Sequence, residues 1–414
     1  MKPRDLPIPR PEKRGDLRKF SVLATVLVLG AFACGEDEGP AGAWTPGGDP
    51  IPLGEPEAVF PEDFGFFSSV RELADGSVLL ADPLGSALFR VDMEAGARER
   101  IGTRGEGPGE YLQPDATWPL PGDSTLVVDL GNTRMVRIGP DLAFGETHSL
   151  MLGTGGAMVM ALPSAIDGTG RIYTAGMSFG LPEEDSAAIV RIDLTESTAD
   201  TAGTYVPEKF NVTREAVQGG ESVNVSRIPY APADGWGVAP DGSLVIARWA
   251  DYAVEWRSPT GETVFGEPVQ HAPVAIGDAE KEEYFEANRR GGGLQVARTD
   301  NNGVVTTTMR RGGFVSRGGD NEPDYGQYEW PSHKPPFYRG TIPVDSRDRA
   351  WVRRHVSPGK GTRYDVFDRQ ARQIGSYSLE GVREIVGFGS ESVYVVAFDE
   401  FDLAYLEKYA LPGT

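Results

Sequence analysis

Residues 69–82 read Ser-Val-Arg-Glu-Leu-Ala-Asp-Gly-Ser-Val-Leu-Leu-Ala-Asp, and residues 87–92 continue as Ala-Leu-Phe-Arg-Val-Asp. Two β-rich runs flank Asp75 and Gly76. Glycine takes positive φ without steric cost, so this pair marks a tight hairpin. The same plan recurs downstream: Gly122 and Asp123 precede strand-like runs at 125–129 and 134–138, and Asp167 and Gly168 precede runs at 171–174 and 188–193. Gly76, Gly122 and Gly168 are spaced by 46 residues. A period in the forties with four short strands per unit predicts the blades of a β-propeller.

Three further units follow, with turns at Asp241–Gly242, at Arg347–Asp348 and near Gly389. The spacing widens to 74 and then 106 residues before returning to 41, which places insertions at 205–235 and 266–339. The expected fold is therefore all-β, a six-bladed β-propeller over residues 57–414 with one helical insertion between blades 4 and 5. Unit six holds only three strand-like runs, and residues 57–60, Glu-Ala-Val-Phe, stand ahead of unit one to supply the fourth. Such a strand would cover a sheet edge that otherwise invites aggregation. Asp129, Asn132 and Arg134 in unit two resemble the pattern of NHL-type repeats, and residues 105–110, Gly-Glu-Gly-Pro-Gly-Glu, resemble a loop of bacterial six-bladed β-propeller lipoproteins. The resemblance specifies architecture and implies no activity. Unit one has Asp82 but lacks the Asn and Arg.

Ahead of the repeats, residues 1–20 carry seven Lys/Arg against three Asp/Glu and run into thirteen uncharged residues, 21–33. As a helix these thirteen span about 20 Å, short of the roughly 30 Å hydrocarbon core, which predicts a signal peptide rather than a membrane span. Ala31-Phe32-Ala33-Cys34-Gly35 resembles the lipobox of bacterial lipoproteins, with Ala31 where leucine is usual. The resemblance implies cleavage before Cys34, the only cysteine, and its acylation with palmitate or a similar chain. Ordinary signal cleavage, leaving a reactive thiol, is the competing reading. Residues 34–56, rich in Gly, Pro and acidic side chains, read as a flexible tether. The expected location is the cell envelope, on the outer membrane or the outer face of the plasma membrane.

Net charge is −21, and removing a leader of +4 takes it to −25. A nucleic-acid partner is excluded on this ground, because phosphate binding needs a basic face. The charge serves solubility, and a monomer is expected. In four-stranded blades the first turn lies on one face, while the second loop and the blade-to-blade connections lie on the other. The long connections at 102–114, 205–235 and 266–339 therefore crowd one face, which marks it for binding. Residues 278–291 have a helix's acidic start, basic end and glycine stop. From Glu286 to Arg372 there are sixteen Lys/Arg against ten Asp/Glu, with aromatics interleaved. That composition suits a lid over an anionic ligand or a peptide; equally, the arginines could pair with local carboxylates and the aromatics could pack the lid down.

No catalytic constellation emerges. His148, His271, His333 and His355 show no zinc spacing, no Gly-x-Ser-x-Gly elbow is present, and no cofactor is expected. Asp320, Glu322 and Asp324 alternate as calcium ligands do, but Pro331 stands where an EF-hand needs glutamate. The ligand-binding candidates are Arg104 and Glu110 in the first long connection, Arg248 in unit four, and Arg353 and His355 in unit five, all directed toward the crowded face. Two functions compete: an envelope binding or scaffold propeller taking a peptide, protein or small anion, and a hydrolase or lyase acting at the channel mouth.

Overall fold

The computed structural model describes residues 47–413 except 155–156, 176–184, 218–219, 291–292, 302–303 and 313–324. Cys34 and the leader, and Asp320, Glu322 and Asp324, lie outside the described residues. Within strand Val78–Asp82 every residue is buried. Side chains alternate between the two faces of a strand, so both faces of this one must be covered. Val78 and Leu80 pack with Tyr394, Val396 and Leu406, whereas Leu79 and Ala81 pack with Val127 and Ile138. The first group joins unit one to unit six; the second joins it to unit two.

Each unit repeats this arrangement, giving six apolar clusters, one at every junction between neighbouring sheets. The result is a six-bladed β-propeller. Blade 1 comprises Val70–Glu72, Val78–Asp82, Ala87–Asp92 and Ala97–Arg100, hydrogen-bonded in that order. Blades 2 and 3 follow the same antiparallel plan from Pro114–Leu120 to Phe144–Ser149 and from Ala165–Ile166 to Thr198–Tyr205. Blade 4 runs from Gly235–Val238 to Thr263–Phe265. Blade 5 is built on Ala350–Arg354, Thr362–Phe367 and Gln373–Leu379, and blade 6 on Arg383–Phe388, Ser392–Phe398 and Ala404–Ala410.

The ring closes as the spare N-terminal run predicts. Ala58–Val59 pairs antiparallel with the last strand, Ala58 opposite Lys408 and Val59 opposite Glu407. Phe60 and Phe64 donate backbone bonds to Leu406 and Ala404 at 2.9 Å and bury their rings, with Phe67, in the cluster between blades 6 and 1. The tether expected over 34–56 is docked at its C-terminal end: Ile51–Pro52 lies parallel to Gln373–Leu379 on the outer edge of blade 5, an edge that needs covering for the same reason.

One turn and one strand depart from expectation. In blade 3 the positive φ falls on Gly170 (+88°) instead of Gly168, because Gly168 donates to the Pro240 carbonyl of the next blade and packs tightly against it. In blade 5 the innermost segment is shared. Gly340–Thr341 pairs parallel with Gly235–Val238 of blade 4, while Phe337 and Val344 on either side of it bridge to Arg354 and Ala350 of blade 5. The resemblance in unit two corresponds to a knot of polar contacts. Asp129 accepts the backbone N–H groups of Leu112 and Gln113 and the Asn132 amide, while Arg134 donates to the carbonyls of Glu106 and Glu110. Asp82 does the equivalent work in blade 1 by accepting from Gly65, Phe66 and Gly85.

Both insertions carry structure. The first is a hairpin, Phe210–Val217 with Gly220–Arg227. The second holds helix α1 (Asp278–Arg290), a hairpin of Gly293–Asn301 with Val304–Gly312, and a short 3₁₀ turn at Tyr325–Gln327. Glu280 accepts the Gly277 N–H at 2.9 Å, half of a capping box that starts α1.

Closure makes the N-terminal segment a structural part of the domain. Phe64→Ala is expected to cost about 3–5 kcal/mol in urea unfolding, the usual range for an emptied aromatic core site. A chain beginning at Phe66 should melt at least about 10 °C below the full chain by calorimetry.

Candidate functional site

The innermost strands of all six blades surround a central channel of about 530 Å³, with Val70, Ala116, Ala165, Val238, Ile342 and Val386 each contributed by a different blade. On the loop-rich face the second insertion reaches across this channel. Gln113 in blade 2 clasps the Arg311 backbone in both directions at 2.8 Å, and the Arg311 guanidinium makes a two-pronged pair with buried Asp115. Met309, two residues earlier, is buried in the cluster between blades 2 and 3.

A second cavity, of about 300 Å³, lies between α1 and blades 5 and 6 and shares Ser68, Ile385 and Val386 with the channel. Its charged lining consists of Glu283 and Arg290 from α1, Arg353 from blade 5 and Glu384 from blade 6. Aromatic packing fixes its roof. Tyr284 and Phe285 of α1 stand 5.7 and 6.2 Å from Trp330, and Tyr230 from the first insertion packs its ring, tilted, 5.3 Å from that of Tyr284 and donates to the Glu280 carbonyl. Lys334 is fully buried below the helix, where it pairs with Glu283, donates to the Val356 carbonyl and lies 5.3 Å from the Tyr230 ring.

Arg353 and Glu384 form a close ion pair across the cavity wall. Burial works against the Arg353 charge, but Glu384 outweighs it and the guanidinium is held above its ordinary value. The Arg353 guanidinium lies 4.1 Å from the Tyr338 ring centroid, and that ring stacks at 3.7 Å on His355. Burial, then Lys334, Arg353 and Arg339, push the His355 imidazole well below the ordinary range, so it is neutral at pH 7. Burial pushes the neighbouring Tyr364 hydroxyl up to about 12. Its oxygen accepts the Ile385 N–H at 2.9 Å.

Of the candidates read from sequence, Arg353 lines this cavity and His355 supports it from behind Tyr338. The other three lie outside it. Arg248 bridges Asp234 and Glu255 at 2.7 Å each within blade 4. Glu110 accepts the Gly107 N–H within its own loop, and Arg104 is an exposed residue whose strand pairs with Glu110–Tyr111. Glu283, Arg290, Tyr338 and Glu384 are not among those candidates, although Arg290 and Tyr338 belong to the basic, aromatic stretch that reads as a lid. For the helix pair a signal existed: Glu283, Ala287 and Arg290 fall at i, i+4 and i+7, one face of α1. Among the described residues no group of three or more His, Cys, Asp or Glu side chains is placed to hold a metal ion.

No protein-family model matches the chain, and no curated protein matches it. Solved structures similar to it include a member of the DUF4221 family from Bacteroides vulgatus (10% identity, TM-score 0.42, covering 86% of this chain and 96% of that one). A gluconolactonase from Xanthomonas campestris aligns at 13% identity and TM-score 0.39, covering 91% and 99% of the two chains. Virginiamycin B lyase from Staphylococcus aureus aligns at 10% identity and TM-score 0.37, covering 86% and 99%. Likeness at this level carries nothing about activity.

His355 sets a pH dependence. A buried neutral histidine binds its proton more weakly in the folded state, so its contribution is present above the unfolded value of about 6.5 and is lost as pH falls below it. Calorimetry between pH 7.5 and 5 should show the melting temperature falling below about pH 6.5, and His355→Gln should flatten that fall.

Proposed function

We propose that this protein is a lipid-anchored propeller of the cell envelope that binds a small charged solute or the end of a short peptide in the cavity beneath α1. One observation carries the binding half of the reading: an insertion held by aromatic packing and buried ion pairs roofs a cavity of about 300 Å³ in which Arg290, Arg353, Glu283 and Glu384 converge beside apolar Phe66 and Ile385. That volume is at the small end for ligand sites, and a few convergent polar groups in an apolar wall are what orient a ligand. The Arg353 and Glu384 pair gives one wall of the cavity a polar patch, since Glu384 is half exposed and the pair is open to further hydrogen bonds from a ligand. The anchoring half rests on the leader and Cys34.

Binding is tested by thermal shift of the purified protein against short peptides and small organic anions. At least one compound should raise the melting temperature of the wild type at millimolar concentration and fail to do so in Arg353→Met. Anchoring is tested by metabolic labelling of the full chain with palmitate, and the label should vanish in Cys34→Ser. Label that survives the substitution would remove the anchor from the proposal.

A further inference from the structure

The four charged groups of the cavity are not equivalent. Arg353 and Glu384 neutralise one another within it. Glu283 and Arg290 instead have their countercharges outside the lining: Lys334 is wholly buried behind Glu283, and Arg290 pairs with Asp402 on the blade 6 rim at 2.5 Å and with Glu286 of α1 at 3.6 Å. One carboxylate and one guanidinium thus face the same space without a partner inside it. They are separated by seven residues, two turns of α1 or about 10 Å along its axis, with Ala287 between them giving room.

We infer that the ligand is a short linear zwitterion whose ammonium end is read by Glu283 and whose carboxylate end is read by Arg290, an inference that rests on the cavity reading above. The spacing of about 10 Å, less a hydrogen bond at each end, leaves a span of the order of a dipeptide backbone, at about 3.3–3.6 Å per residue. A simple anion is selected against, because one of its ends would meet the Glu283 carboxylate in a partly desolvated site where like charge is costly. A simple cation meets the same obstacle at Arg290. Buried Lys334 holds the Glu283 carboxylate in place from behind, as its paired cation.

The test uses glycylglycine, its N-acetyl derivative, its C-terminal amide, and succinate as a dianion, with affinities measured calorimetrically on the purified protein. Glycylglycine should bind at least about tenfold more tightly than either blocked form, a gap of about 1.4 kcal/mol. Arg290→Met should remove that advantage over the amide while the advantage over the acetylated form persists. Glu283→Gln exposes buried Lys334 to the loss of its partner and can misfold, so the blocked ligands on wild-type protein carry the decision. Equal binding of glycylglycine and N-acetylglycylglycine, or binding of succinate alone, would overturn the zwitterion while leaving the cavity as a ligand site. Binding of none of the four, together with a silent thermal-shift panel, would overturn both.

Discussion

Burial of both faces of every blade is the constraint on which the rest of this structure depends. A strand such as Val78–Asp82 has no solvent side: Leu80 belongs to the cluster with blade 6 and Leu79 to the cluster with blade 2. Fully burying such side chains contributes about 1.5–3 kcal/mol each, but only while both neighbours are present. An open row of blades would leave two apolar faces in water, so the sheets must return on themselves. The same logic draws the N-terminal segment into the domain, where Phe60 and Phe64 complete the last junction and Ala58–Val59 caps the last edge.

The second insertion is attached at points far apart on one face. Arg311 and Met309 fasten its hairpin to blade 2, Arg290 ties the end of α1 to blade 6, and Lys334 holds Glu283 from below. Buried ion pairs add little net stability after desolvation, yet removing one partner leaves a stranded charge. Their value here lies in register. They fix α1 in one rotation about its axis, with Tyr284 and Phe285 against Trp330 and with Glu283, Ala287 and Arg290 toward the cavity. The ligand reading depends on that rotation more than on any single contact.

Polar contacts in the connections serve the scaffold more than a site. Asp129, Asn132 and Arg134 gather the backbone of the loop between blades 1 and 2, and this engages Glu110, which on sequence alone looked available for a ligand. Arg248 is likewise occupied by Asp234 and Glu255. Charged residues near a crowded face are therefore poor markers of binding until their partners are known. Arg353 differs because its partner, Glu384, lies in the same cavity.

The architecture was legible in the sequence: the blade period, the turns apart from the one in blade 3, the closing strand within 57–60 and helix α1. These are legible because their causes are local: a hairpin needs glycine or aspartate at its corner, a doubly buried strand needs an unbroken apolar run, and a helix announces its ends by charge. The tertiary structure alone decided the cavity and its charges. Glu283 meets Lys334 across 51 residues, Arg290 meets Asp402 across 112, and Arg311 meets Asp115 across 196. Pairing over such separations follows from how far the insertion reaches over the ring. Side-chain reach is set by packing in three dimensions, and no spacing along the chain encodes it.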